Sequence, residues 1–251
     1  MNEMVISTKN LRKSFGNFMA INGVEIDLKS NIITSIIGPN GAGKTTLINL
    51  ITGILRPDKG KIFFKGEEIT HLSTDKLVKK GITRSFQIMN IFPRLTVFQN
   101  IELPILSLLD KNLKWFSGTD DHQDVTEEVN KILEDVNLLD KSHMLAGELP
   151  HGDQRLLELA IAIAPRPEIC FLDEPSSGMN PSESAKVLEL IKRLAAVEKT
   201  TFIVVEHDMD LVFSLSDWII VMNKGEILTE GEPGQIKENK DVREIYLGEE
   251  L

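Results

Sequence analysis

A glycine-rich segment carries the clearest chemistry in this sequence. Residues 38–45 read Gly-Pro-Asn-Gly-Ala-Gly-Lys-Thr and match the pattern GxxxxGK(S/T) between an apolar strand and an apolar helix. Glycines let the backbone wrap so that successive N–H groups face phosphate oxygens, and the following helix N-terminus adds partial positive charge. Lys44 supplies a full charge, and the Thr45 hydroxyl can ligate Mg²⁺. A tight glycine turn is the alternative, but the match favours a phosphate site formed by Gly38, Pro39, Asn40, Gly41, Ala42, Gly43, Lys44, Thr45 and Thr46.

Two adjacent carboxylates end an apolar run. The run at 169–172, Ile-Cys-Phe-Leu, is followed by Asp173 and Glu174, which places both acids at the carboxyl edge of a parallel sheet, where the ligands of such sheets bind. Asp173 can hold Mg²⁺ directly or through water, and Glu174 can polarise a water for in-line attack on a γ-phosphate. An acidic pair before a proline is also typical of a helix cap or a solvated turn. The glycine-rich segment in the same chain favours the catalytic interpretation.

The elements that must position these residues alternate along the chain. We predict strands at 5–11, 24–28, 32–37 and 61–64, and a helix at 44–54. In the last third we predict strands at 168–172, 201–205 and 218–222, and helices at 182–196 and 209–215. Alternating strands and helices imply an α/β fold with a mostly parallel sheet.

The middle third, about residues 95–164, is predicted to be a helical unit inserted into this α/β core. It begins at Thr96, and Gln99 lies at the spacing at which the two side chains can cap each other's backbone. Residues 110–124 are predicted to form a solvated loop, and a helical apolar face follows at 125–136. Residues 1–251 are therefore interpreted as one nucleotide-binding domain with a single nucleotide site.

Composition excludes several classes of function. The chain of 251 residues has 28 Lys and Arg against 38 Asp and Glu, a formal net charge of −10, which argues against a nucleic-acid partner. Its one cysteine, Cys170, cannot form an internal disulfide and is expected to be a small core residue. The apolar runs are shorter than the roughly 20 residues of a membrane span, and the first residues lack the features of an export signal. We therefore expect the chain to stay in the cytosol.

The order of these motifs, from about residue 5 to residue 222, resembles that of the ATP-binding subunits of ABC transporters. The resemblance implies a P-loop NTPase core of the ABC ATPase type, with an antiparallel β subdomain and the inserted helical subdomain beside the mostly parallel sheet. It implies that Phe15 stacks on adenine, that Gln87 links Mg²⁺ and the attacking water to a membrane subunit, and that His207 contacts the γ-phosphate. ATP and Mg²⁺ are the cofactors that follow from it.

Residues 149–154, Leu-Pro-His-Gly-Asp-Gln, are similar to the family's signature loop, whose usual form is Leu-Ser-Gly-Gly-Gln. In the family this loop contacts the nucleotide of a partner subunit, so the resemblance implies contacts in trans from Pro150, His151, Gly152, Asp153 and Gln154. Pro150 replaces the serine hydroxyl, His151 replaces a glycine, and Asp153 brings negative charge toward an anion. Two alternatives follow: a homodimer, or a pair with a different ATPase subunit in which this loop serves the weaker of two sites.

Short segments further resemble one branch of the family, the importers of branched-chain amino acids and urea. They are 96–100, 151–152, 178–181 and 244–249, the last of which is shared with lipopolysaccharide-export ATPases. The resemblance implies a second ABC ATPase subunit, integral membrane permease subunits and, indirectly, a solute-binding protein as partners. It also implies a peripheral position on the cytoplasmic face of the cell membrane, with a chain that is soluble when isolated.

Three other functions remain open at this stage. They are a lipopolysaccharide-export type ATPase, a soluble ABC ATPase acting in repair or metal-cluster assembly, and a nucleotide-sensing module that hydrolyses ATP weakly because of Pro150 and Asp153. The acidic charge and the lack of a duplicated cassette or a basic arm count against repair work.

Overall fold

Strands and helices alternate in the last third of the chain, whereas strands dominate the first third and helices the middle. The computed structural model describes residues 3–85, 91–108 and 119–247. The strands are β1 (Met4–Phe15), β2 (Phe18–Val24), β3 (Asp27–Lys29), β4 (Ile33–Ile37), β5 (Lys59–Phe64), β6 (Glu67–Glu68), β7 (Ile82–Arg84), β8 (Ile169–Asp173), β9 (Thr201–Val205), β10 (Trp218–Asn223) and β11 (Glu226–Gly231). The helices are α1 (Lys44–Ile51), α2 (Thr74–Lys79), α3 (Val97–Leu108), α4 (Thr119–Asp135), α5 (His151–Ile163), α6 (Pro181–Glu198), α7 (Met209–Leu215), α8 (Pro233–Glu238) and α9 (Lys240–Leu247).

The central sheet carries the strands that lead into the predicted site. Within the described residues it has six strands in the order β11-β10-β4-β9-β8-β7. The strands from β10 to β7 are parallel, and β11 pairs antiparallel with β10. Every residue of β4, β8 and β9 is buried, as expected for strands of a sheet covered on both faces. The prediction of an α/β fold with a mostly parallel sheet is confirmed.

A second sheet, formed mainly by the first third of the chain, is antiparallel. It has the order β2-β1-β5-β6, with β3 also paired to β1, among the described strands. The prediction of one strand at 24–28 is wrong, because β2 ends at Val24 and β3 begins at Asp27. The interruption has a local cause: the hydroxyl of Thr8 donates to the Val24 carbonyl at 3.1 Å and accepts from the Ile26 amide at 3.1 Å, so a side chain takes over part of the strand pairing.

Helices α3, α4 and α5 lie within the region predicted to be helical. The predicted cap is confirmed: the Gln99 amide donates to Thr96 Oγ1 at 3.1 Å, and the Thr96 amide donates to Gln99 Oε1 at 3.0 Å. The prediction of a loop over 110–124 is wrong from residue 119 onward, since α4 begins there. The burial of Val125, Val129 and Ile132 along one face stabilises α4 as a helix.

Buried apolar side chains form three clusters in the part of the chain that the structure describes. One packs α3, α4 and α5 against α6 and the central sheet, and a small one joins α7, α8 and α9 to β10. The third lies between the antiparallel sheet, α1 and the central sheet, and includes Leu47, Ile48 and Ile51 of α1 at less than 2% exposure. This cluster fixes α1, and with it the glycine-rich segment, against the sheet. In the described ranges we find no helix with the length and apolarity needed to cross a bilayer.

Candidate active site

Three neighbouring strands bring the predicted catalytic residues to one edge of the central sheet. Strand β4 leads into the glycine-rich segment, β9 leads to His207, and β8 ends in Asp173, which Glu174 follows. Because the three strands are adjacent and parallel, their carboxyl ends meet at the same edge. A cavity of about 250 Å³ opens there, and its described lining consists of residues 40–46 with Phe18, Ala20, Glu174, Val205 and His207.

Two glycines of the segment are required by close backbone approaches. Gly43 has φ of 102°, and a Cβ placed on it would lie 2.6 Å from the carbonyl oxygen of Ala20. Gly38 has φ of 155°, and a Cβ there would collide with the carbonyl oxygen of Met222. The segment therefore runs directly against the strands on either side of it, and residues with side chains cannot replace these glycines without displacing backbone.

Lys44 lies inside the turn of the glycine-rich segment. Its ammonium donates to the carbonyl oxygens of Gly38 at 2.7 Å and Pro39 at 3.1 Å. Burial lowers the pKa of Lys44, while the nearby carboxylates of Glu174 and Asp173 raise it. The lysine thus sits at the first helical position after Gly43, close to both predicted acidic groups, and it can turn its charge toward a phosphate group.

Asp173 is buried in a short polar network. Its Oδ2 accepts from Arg84 at 2.9 Å, and the other end of the Arg84 guanidinium donates to Asn49 of α1. Burial raises the pKa of Asp173, and the charge of Arg84 opposes that effect. The second carboxylate oxygen, Oδ1, is buried without a hydrogen-bond partner among the residues that the structure describes. An orphaned carboxylate oxygen close to Lys44 fits the predicted role of Asp173 toward Mg²⁺, which prefers oxygen ligands.

Glu174 and His207 are in direct contact. His207 Nε2 lies 2.7 Å from Glu174 Oε1, and both side chains are partly exposed to the cavity. The backbone of Glu174 adopts φ of 51°, a conformation that residues with side chains rarely take, and its amide donates to the Val205 carbonyl at 2.9 Å. The turn after β8 therefore aims the Glu174 side chain into the cavity from one strand, while His207 reaches it from the next.

The two aromatic residues of the β1–β2 hairpin lie side by side at its tip. Phe15 and Phe18 are cross-strand partners, and 48% and 60% of their surfaces are exposed. Phe18 contributes to the cavity lining, whereas Phe15 is absent from its described lining. Sequence reasoning singled out Phe15 and missed Phe18. The hairpin turn at Gly16 and Asn17 could have indicated that both rings lie at the same tip.

Gln87 lies outside the residues that the structure describes, so its predicted link between Mg²⁺ and a membrane subunit stays a prediction. The strand that leads toward it is described. β7 pairs in parallel with β8, with Arg84 opposite Phe171, and the Ser85 amide donates to the Phe171 carbonyl at 2.8 Å.

The signature-like segment lies at the start of α5, away from the cavity of its own chain. Pro150 is the N-cap of α5, and residues 151–154 form its first turn. Gly152 is buried, and a Cβ on it would lie 3.0 Å from Glu183 Oε1 of α6. Asp153 accepts from the Lys141 ammonium at 2.6 Å, a contact that raises the pKa of Lys141. The negative charge expected from Asp153 is therefore balanced by a neighbouring cation that sequence reasoning missed.

Residues 21–177 match the family model described as ABC transporter. The chain is 38% identical over 254 residues to the high-affinity branched-chain amino acid transport ATP-binding protein BraF of Pseudomonas aeruginosa, an alignment that covers 99% of this chain and 100% of BraF. The structure of the ADP conformation of MJ1267, an ATP-binding cassette of an ABC transporter, superposes with a TM-score of 0.85 at 34% identity, covering 98% of this chain and 99% of that one. The dimeric structure of a post-hydrolysis state of the ATP-binding cassette MJ0796, bound to ADP and Pi, superposes with a TM-score of 0.78 at 26% identity, covering 91% and 98%.

Proposed function

Because this chain belongs to the ABC transporter family and is one of its ATPases, we propose that it powers the import of branched-chain amino acids or a related small polar solute. One observation carries the proposal: the glycine-rich segment, Glu174 and His207 line a single cavity at the carboxyl edge of the central sheet. The solute class is supported by BraF, whose printed name specifies branched-chain amino acid transport and whose alignment covers 99% of this chain.

ATP binds in this proposal through its phosphates. Residues 40–46 line the cavity, with Lys44 at the N-terminus of α1, and the N–H groups of a helix N-terminus are suited to binding phosphates. The segment from Gly38 to Thr46 thus supplies a binding surface with little rearrangement, and Lys44 exchanges its two carbonyl partners for phosphate oxygens. The adenine stacks on the hairpin tip, on Phe15 with Phe18 beside it.

Asp173 and the Thr45 hydroxyl hold Mg²⁺ in this proposal, together with Gln87. The orphaned Oδ1 of Asp173 supports its part in the ligand set. When bound, the ion neutralises charge on the phosphate oxygens and fixes their orientation. The ion pair with Arg84 leaves one Asp173 oxygen for this task, and the charge of Arg84 opposes the rise in the Asp173 pKa that burial causes.

Hydrolysis follows from the pair formed by Glu174 and His207. A water placed between Glu174 and the γ-phosphate attacks in line: its oxygen bonds to the γ-phosphorus as the bond to the β–γ bridging oxygen breaks, and Glu174 accepts the proton. His207 orients the Glu174 carboxylate through the 2.7 Å contact of its Nε2, and this ring N–H turns to a γ-phosphate oxygen once the nucleotide is in place. ADP and inorganic phosphate are the products.

A second ATPase subunit completes the site. The first turn of α5, residues 150–154, faces the partner's nucleotide and offers backbone N–H groups in place of the usual serine hydroxyl. Lys141 balances Asp153, which favours an active composite site over a module that only senses nucleotide. The dimeric MJ0796 cassette supports this arrangement.

Permease subunits in the membrane and a solute-binding protein are the remaining partners in this proposal, with the chain on the cytoplasmic face. We would purify the complex from gently solubilised membranes and measure ATP affinity and phosphate release. Glu174→Gln is expected to keep ATP affinity and to lose phosphate release by about 100-fold or more. The control Glu127→Gln, on the exposed face of α4, is expected to match the wild type. Unchanged turnover in Glu174→Gln would overturn the proposal.

A further inference from the structure

Glu206 is a buried carboxylate that the proposed mechanism does not use. It directly precedes His207 and is 5% exposed. Charged groups are rarely buried to this degree unless several donors satisfy them, since burial without partners is costly. The hydrogen-bond donors around Glu206 therefore identify the segments that its carboxylate holds together.

Those donors come from the two segments that carry the catalytic side chains. Glu206 Oε1 accepts from the hydroxyl of Ser176 at 2.5 Å and from its backbone amide at 3.1 Å. The other oxygen, Oε2, accepts from the backbone amide of His207 at 3.3 Å. Ser176 is itself 8% exposed and lies two residues after Glu174. One carboxylate thus joins the turn after β8 to the turn after β9.

The turn after β8 needs such a constraint. Glu174 has φ of 51°, and a residue with a side chain is strained in that region unless its surroundings hold it there. Within the described structure the turn is held on one side by the Glu174 amide bonded to Val205 and on the other by Ser176 bonded to Glu206. Losing the second anchor would let Glu174 move relative to His207.

We infer that Glu206 is a positioning residue, whose carboxylate clamps the Ser176 turn to the His207 backbone and so sets the Glu174–His207 pair. The inference rests on the proposed roles of Glu174 and His207. Glu206 acts through these two residues, and it is not part of the described lining of the cavity. Its loss should therefore reduce the rate of the chemical step and leave the binding of ATP by the glycine-rich segment intact.

Two variants test this clamp. Glu206→Gln keeps one oxygen for Ser176 but brings an NH₂ group against the N–H of His207, where two donors meet. Ser176→Ala leaves the carboxylate in place and removes its shortest hydrogen bond, and it keeps the test decisive if the first variant folds poorly. Thr8→Val is the matched control, because it removes buried hydrogen bonds of a hydroxyl in the antiparallel sheet, far from the site.

The readouts are the KM for ATP and the kcat of phosphate release in the purified complex. We expect Glu206→Gln to lower kcat by about 10- to 100-fold and Ser176→Ala by about 3- to 10-fold, both with KM changed by less than about 2-fold. Thr8→Val should lower the melting temperature and leave both constants unchanged. In the Glu174→Gln background, Glu206→Gln should reduce the residual rate no further.

Three results would overturn the inference. The first is a kcat within about 2-fold of wild type in both variants. The second is a loss of kcat no greater than the loss that Thr8→Val causes at the same fall in melting temperature. The third is that Glu206→Gln lowers kcat in the Glu174→Gln background by the same factor as in the wild type. Failure of the proposed function gives a different result, because in that case Glu174→Gln alone would retain turnover.

Discussion

Arg84 at the end of β7 and Asp173 at the end of β8 form an ion pair of 2.9 Å whose side chains are only 7% and 1% exposed. Arg84 also donates to Asn49 of α1, the helix that follows the glycine-rich segment. A single guanidinium thus links the helix behind the phosphate site to the carboxylate proposed to hold Mg²⁺. Because the pair is shielded from water, neither charge can be solvated if the other is removed.

Replacing Arg84 should therefore be strongly destabilising. Arg84→Met leaves the buried Asp173 carboxylate uncompensated, and we expect the free energy of unfolding, measured by urea denaturation, to fall by about 3–5 kcal/mol. The control is Lys61→Met, which removes the exposed 2.7 Å ion pair with Glu68 and should cost far less, because solvent screens that pair. Equal losses in the two variants would contradict the importance of burial.

Two glycines of the glycine-rich segment share a positive φ but differ in the space available for a side chain. Both have positive φ, 79° at Gly41 and 102° at Gly43, but a Cβ on Gly41 meets open space whereas one on Gly43 lies 2.6 Å from the Ala20 carbonyl. Gly41→Ala should cost about 1 kcal/mol of stability and weaken ATP binding slightly. Gly43→Ala should displace the segment and weaken binding at least about 10-fold more. Calorimetric titration with ATP checks this, and equal affinities would refute the steric argument.

The ion pair between Lys141 and Asp153 predicts that the effect of replacing Lys141 is reversed when Asp153 is also neutralised. Lys141→Met leaves Asp153 as an uncompensated negative charge beside the first turn of α5. We expect a higher KM for ATP in the assembled ATPase, by about 3-fold, since the pair is only partly shielded. The double variant Lys141→Met/Asp153→Asn should return KM toward the wild-type value. A double variant as impaired as Lys141→Met alone would show that the charge of Asp153 does not reach the nucleotide.

Cys170 should report on unfolding. The thiol is fully buried in β8, and burial raises its pKa to about 12 from 9.0. The protonated thiol is unreactive, so iodoacetamide at pH 8 should label the protein only after urea is added. Because the folded-state pKa is the higher one, the stability this thiol contributes is present below pH 9.0 and is lost as pH rises toward about 12. Labelling of the native protein at pH 8 would contradict the burial of this thiol. The Cys170→Ala variant, which lacks the thiol, measures the background labelling.

The sequence predicted the parts of the site that depend on consecutive residues. The glycine-rich segment and the acidic pair each lie in one short run whose chemistry is local, and parallel strands bring such runs to one edge. Arg84 and Glu206 could not be identified in this way, because their partners lie 89 and 30 residues away along the chain. β7 is three residues long and shows no periodicity of its own, so it exists because β8 pairs with it.

Hydrolysis at Glu174 is proposed to power solute import. The most direct test is uptake of radiolabelled leucine, isoleucine and valine by cells in which the native gene is replaced by wild type, Glu174→Gln or Glu127→Gln. We expect full uptake with wild type and Glu127→Gln, and uptake with Glu174→Gln no higher than in cells that lack the gene. Uptake in the Glu174→Gln cells equal to that of wild type would contradict it.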